Sequence, residues 1–191
     1  MKLTILKVYW AITRAYLRFR GAEVGKNVKC NGFPYVKVHK DGQLIIEDEV
    51  QINAVPRANA HVIAGSMTLF VAAGAKLRLG KGMGVSGTRI VAMKSIEIGS
   101  KTLIGAGCLI CDSDMHEIPL GSPNAISIKP IAIGQHVFIG AQSIILKGVE
   151  IGDGSVIAAG SVVTKTVPSN SLAGGNTAKI LRMFSQEEYH L

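Results

Sequence analysis

From Ile133 onward an aliphatic residue recurs at every sixth position: Ile139, Ile145, Ile151, Ile157 and Val163 follow without a slip. The position after each is mostly small, as at Gly134, Gly140, Gly152 and Ala158. Four positions after each stand Val137, Ser143, Val149, Ser155, Ser161 and Val167, all small or β-branched. A helix needs a period near 3.6 and an amphipathic strand a period of about 2, so six fits neither. It fits an all-β solenoid that turns a corner after each short strand. One aliphatic residue per side then points inward, with small residues where the chain bends.

Upstream, repeat-like sequence begins at Val24-Gly25-Lys26-Asn27-Val28 and continues less regularly through Ile46 and Ile52. It runs cleanly at Leu79, Val85 and Val91, then, after one extra residue, at Ile98, Ile104 and Ile110. The next hit is due at position 116, yet the rhythm returns only at Ile133, so about 17 residues are inserted. This insert, residues 112–130, holds acids, Pro119, Gly121, Pro123 and a histidine. A long loop interrupting a compact solenoid points to function. Residues 2–20 read as a helix with Lys7, Arg14 and Arg18 on one face. Ile5, Val8, Tyr9, Ile12, Tyr16 and Phe19 fall on the opposite face. Pro168 ends the repeats, and residues 178–189 predict a short terminal helix over the last coil. The expected organisation is an amphipathic helix over 1–22, a solenoid over 23–170 and a tail over 171–191.

With 191 residues the chain is long enough for one domain with a core, and its 5% aromatic content suits a thin interior. Three cysteines, two of them (Cys108 and Cys111) inside repeat sequence, point to a reduced, cytoplasmic protein. The net charge of +8 is unevenly placed: Lys2, Lys7, Arg14, Arg18 and Arg20 fall in the first twenty residues without an acid. No nucleic-acid motif accompanies this basic balance, so no nucleic-acid partner is expected. Uncharged runs in this segment are too short to span a bilayer. Two readings of the helix stay open. It makes peripheral contact with an anionic membrane, or it caps the open end of the first coil.

The stretch from Ile133 to Arg182 contains Ile139-Gly140-Ala141, the run Ile157 to Lys165 and the run Ala173 to Arg182. It resembles the hexapeptide-repeat acyltransferases. Gly25-Lys26-Asn27-Val28-Lys29, then Asn31-Gly32-Phe33, Asn53, Ser86, Thr88 and Asp112-x-Asp114-x-His116 narrow the resemblance. They look like lipopolysaccharide O-antigen and capsule O-acetyltransferases. The resemblance implies a left-handed parallel β-helix, acetyl-CoA as cosubstrate and a homotrimer with sites between neighbouring subunits. It also implies transfer to a sugar hydroxyl of a surface polysaccharide or its precursor. An amino-sugar or amino-acid acceptor, or a non-catalytic scaffold, are the alternatives.

By the same resemblance His116 is the general base, since neutral imidazole can take a proton from an acceptor hydroxyl near pH 7. Asp114 or Asp112 would hold its other ring nitrogen. Asn53, Ser86, Arg89 and Asp112 are the candidates for the acceptor side. Main-chain groups at Ala141 and Ala159 would face the pantetheine arm, while Thr164, Lys165, Lys179 and Arg182 would meet the phosphates of coenzyme A. The sequence departs from the family tail at Gly174-Gly175-Asn176-Thr177, with an extra glycine and no proline. No metal is expected. Cys108-x-x-Cys111 lacks a second pair, His39 and His61 are isolated, and Ala141-Gln142 follow His136 where a zinc-binding relative needs histidine.

Overall fold

The computed structural model describes residues 2–55, 67–185 and 188. After one helix, α1 (Lys2–Phe19), the chain winds into a three-sided parallel β-helix. The first side stacks Ala22–Val24, Gln43–Ile46, Lys76–Leu79, Ser95–Ile98, Ile131–Ile133 and Glu150–Ile151. The second stacks Lys29–Asn31, Gln51–Asn53, Gly84–Ser86, Leu103–Ile104, Phe138–Ile139, Val156–Ile157 and Ser171–Gly174. The third stacks Tyr35–Val38, Thr68–Val71, Arg89–Ala92, Leu109–Cys111, Ile144–Ile145 and Val162–Val163. Each coil therefore takes one strand from each side. Below, the second edge is where side two passes to side three, and the third edge is where side three passes to side one.

The six-residue rhythm becomes geometry in the last coils, where Ala132 pairs Glu150, Phe138 pairs Val156 and Ile144 pairs Val162, each 18 residues on. Every counted aliphatic from Ile133 to Val163 is buried. Ser143, Ser155 and Ser161 are also buried, and their hydroxyls donate to the corner carbonyls of Gly140, Pro168 and Ala158. A buried hydroxyl is tolerable only with such a partner. Successive corners stack so closely that a Cβ on Gly140 would collide with the main chain of Ala159.

The count in sixes fails at Val91. Ile90 and Ala92 point inward there, and Val91 faces out. The corner from Val85 to Ile90 spans five residues, whereas its pairing partners, Ile104 to Ile110, span six. Buried Thr88 closes this tighter corner, its hydroxyl lying 3.0 Å from the carbonyls of both Ser86 and Gly105.

The terminal helix is also corrected. Lys179–Met183 is a strand, antiparallel to Ser171–Gly174. The open edge of the second side offers a row of main-chain partners, and those outweigh a weak local helical preference. Of the rest of that segment, residues 186, 187 and 189 lie outside the described ones.

At the other end α1 lies across the first coil. Leu17 and Thr13 are fully buried against it. The cations of the helix donate to first-coil carbonyls: Arg14 to Val28 (3.0 Å), Arg18 to Val24 (2.9 Å) and Arg20, through Nε and Nη2, to Val36. Tyr16 donates to the Pro34 carbonyl at 2.9 Å. The cap reading of the helix thus has a physical basis: these carbonyls have no preceding coil to bond.

Candidate functional site

The insert leaves the solenoid at the third edge of the fourth coil, between Cys111 and Ile131. Its stem is tied to the coils on both sides. Asp112 is fully buried, and its carboxylate accepts the main-chain N–H groups of Met93, Lys94 and Ser95 at 2.7–2.8 Å. The Lys129 N–H donates to the Asp112 carbonyl, and the Gly148 N–H to the Lys129 carbonyl. Ser113 bridges Ile128, and the Asp114 N–H donates to Ser127. His116 stands exposed beyond this stem, with no hydrogen bond to it among the described residues.

Two acids assigned from sequence separate here. Both oxygens of Asp112 are engaged by these three main-chain donors and the side chain is fully buried, so neither faces an acceptor or an imidazole. Its assignment to the acceptor side is corrected to a bracket that fixes the loop stem. Asp114 does not bond His116 either; its Oδ1 takes the Lys147 Nζ at 2.6 Å, in a pair whose side chains are 19% (Asp114) and 25% (Lys147) exposed. Lys147 lies at the third edge of the fifth coil, and sequence reasoning missed it. Farther along, the Glu117 carboxyl is held below its usual range by main-chain N–H groups, its own and that of Gly121, with a smaller contribution from His116.

The second edge gathers a different set. Trp10 donates to Asn31, Asn31 to Asn53 and Asn53 to Ser86 across 2.9–3.1 Å, a polar column climbing the first three coils. Above it the corner residues become small: Gly105-Ala106, Gly140-Ala141 and Ala158-Ala159. The main-chain N–H groups of Ala141 and Ala159 have no acceptor among the described residues, whereas the next ones, Gln142 and Gly160, bond the coil below. Such a corner can take a slim amide-bearing ligand against its backbone. Arg89 lies exposed at the start of its strand on side three, beside this edge. A shallow concavity of about 320 Å³ on side two joins Asn53 and Ser86 to Gln51, Gly84, Leu103 and Phe138. Gln51, Gly84 and Leu103 were not singled out from sequence. The signal was present, since they share one outward column in which glycine replaces a side chain.

One prism therefore holds the candidate residues on two edges. Asn53, Ser86, Arg89, Ala141 and Ala159 share the second edge. His116, Asp114, Thr164 and Lys165 lie at the third, and none of the loop's hydrogen bonds reaches the second. Lys179 and Arg182 sit on the terminal strand. Lys179 is exposed, and Arg182 is engaged by Glu188 (2.8 Å) and by the Phe184 ring. The thiols of Cys108 and Cys111 are buried, as core positions require, and burial raises both above the usual thiol range. Cys30 is pushed up to about 12 by the same cause.

A family model described as the hexapeptide repeat of succinyl-transferase matches residues 130–165. The chain is 34% identical over 108 residues to a putative lipopolysaccharide biosynthesis O-acetyl transferase, WbbJ, of Escherichia coli K12, covering 51% of this chain and 55% of that one. The crystal structure of the hexapeptide-repeat acetyltransferase VCA0836 of Vibrio cholerae matches with 33% identity and a TM-score of 0.54 over 58% of this chain and 64% of that one. Its complex with acetyl coenzyme A matches over 92% and 78%, with a TM-score of 0.63 at 23% identity. The polySia-specific acetyltransferase NeuO matches over 88% and 86%, with 27% identity and a TM-score of 0.64.

The chain carries the hexapeptide repeat over residues 130–165, and its coil has the left-handed parallel β-helix fold of the hexapeptide-repeat acetyltransferases it resembles. It spans about half the length of the curated relatives it matches.

Proposed function

We propose that this chain is an acetyl-CoA-dependent O-acetyltransferase acting on a sugar hydroxyl of a surface polysaccharide or its precursor. The observation that carries the proposal is the exposed imidazole of His116, without a hydrogen bond among the described residues and held out on a loop whose stem is locked into two coil corners. His116 takes the acceptor's hydroxyl proton as that oxygen attacks the thioester carbonyl. The tetrahedral intermediate then collapses, and the departing thiolate of coenzyme A recovers the proton. Asp114, steadied by Lys147, keeps an oxygen for the second ring nitrogen of His116. Coenzyme A lies along Ala141 and Ala159, with Thr164, Lys165, Lys179 and Arg182 toward its phosphates. Asn53, Ser86 and Arg89 line the acceptor side. Two relatives whose names carry lipopolysaccharide and polysialic acid support a carbohydrate acceptor.

A homotrimer completes the site in this reading, the third edge of one copy meeting the second edge of the next. Apolar residues that a partner would cover support it. Met115, Ile118, Leu120 and Ile126 are exposed on the loop, and Leu103 and Phe138 on side two. The protein works in the cytoplasm, with its basic end in peripheral contact with an anionic membrane. Among the described residues no helix is long and apolar enough to cross one.

The test is consumption of acetyl-CoA against a panel of sugars, oligosaccharides and amino sugars. Turnover with a hydroxyl acceptor is expected, and His116→Ala should lower it about 10²–10⁴-fold while acetyl-CoA still binds. Full turnover by the variant would remove His116 from the chemistry. Reaction with amines alone would replace the acceptor class.

A further inference from the structure

The capping role of α1 uses only one of its faces. Tyr9, Trp10, Thr13, Arg14, Tyr16 and Leu17 contact the first coil or bond to it. The opposite face carries Ile5, Val8, Ile12, Ala15 and Phe19, spaced alternately by three and four, and all are exposed. Ile5 is 63%, Ile12 53% and Phe19 86% exposed. Such spacing draws an apolar stripe along the helix, on the side away from the solenoid. It is too regular and too exposed to serve the cap.

The same end of the molecule is strongly basic. Residues 1–40 contain nine Lys and Arg and a single acid, Glu23, a balance of +8 that equals the whole chain's formal charge; the remaining residues carry twelve of each sign. All the excess charge thus sits in the helix and the first coil, at one end of the prism. Between the helix and the first two coils, Lys7, Arg14 and Lys29, with Glu49 as the one acid, border a recess of about 620 Å³ around Trp10, and Lys29 lies over the indole ring at 5.4 Å.

We propose that the outward face of α1 docks on an anionic phospholipid bilayer, with Ile5, Val8, Ile12 and Phe19 entering the interface and the flanking cations meeting lipid phosphates. The inference deepens the peripheral contact proposed above and rests on it, but not on the acetyl-transfer chemistry. It sets the prism's N-terminal end against the membrane. A second copy of the helix is a poor occupant of the stripe, because pairing two such ends would bring like charges together with one acid to offset nine cations. An anionic surface satisfies stripe and charge at once.

The test uses the full chain and sedimentation with vesicles of phosphatidylcholine, with or without about 30% phosphatidylglycerol. Binding is expected to the anionic vesicles only, and to weaken at least about tenfold at high salt. Ile12→Asp with Phe19→Asp should lower it by at least about tenfold. Both positions are exposed, so the unfolding midpoint should not move. Binding that ignores the double substitution would overturn the stripe while leaving the electrostatic contact in place. No binding by the wild type would remove both. An altered assembly size in the variant with undiminished vesicle binding would assign the stripe to a second copy instead.

Discussion

At its N-terminal end the solenoid is closed by side chains, and at its C-terminal end by main chain. The first coil presents carbonyls with no coil before them, and three arginines and a tyrosine of α1 supply the donors. The helix also buries Leu17 over the apolar interior. The last coil is extended by Ser171–Gly174 and then by the antiparallel Lys179–Met183, which pairs along one side and has all five residues exposed. The first device covers the core, and the second only ends a sheet. Stability should therefore depend far more on the helix than on the terminal strand.

Deletion gives the largest expected difference. Removing residues 2–19 should abolish cooperative thermal unfolding or cause aggregation, because open coil ends expose apolar surface. Removing residues 179–191 should preserve a cooperative transition in the calorimeter. A cooperative core without α1 would break the comparison.

Single arginines sharpen it. Arg20→Ala strips two donors from the Val36 carbonyl and should cost about 1–3 kcal/mol in denaturant unfolding. Arg182→Ala loses an exposed pair with Glu188 and should leave the unfolding midpoint almost unchanged. Equal losses at both positions would mean that the guanidinium–carbonyl bonds carry no special weight.

The same contrast explains what could be read from sequence. In the fifth and sixth coils the strands are two or three residues long and the corners small, so one aliphatic position in six marks the interior. In the first coils strands reach four residues and pairing partners stand 22 apart, as Cys30 and Ile52 do, so the count blurs. The existence of α1 was legible from its periodicity. Which face it buries was not, because the answer lies in Asn31, Val28 and Pro34 of the first coil. The terminal strand was illegible for a related reason: an edge several residues upstream decides it.

The candidate site divides likewise. A broken rhythm exposed the loop and its histidine. The role of Asp112 was hidden because its three donors belong to the preceding coil. Lys147 was hidden because an ion pair across 33 residues leaves no local pattern. The polar column through Asn53 and Ser86 shows why these positions are polar without any ligand, so their acceptor role rests on the concavity they share with Leu103 and Phe138.

The central claim is that the loop edge of one copy and the small-residue edge of another form one site. Co-expression of two inactive variants tests it most directly: His116→Ala damages the loop edge, and Ala159→Trp blocks the approach to the main chain at the other. In randomly mixed trimers about a quarter of the sites would combine an intact loop with an intact edge. The mixture should then recover about a quarter of wild-type turnover, although each parent is inactive alone. A mixed assembly as inactive as its parents would place the whole site within one chain and contradict the account.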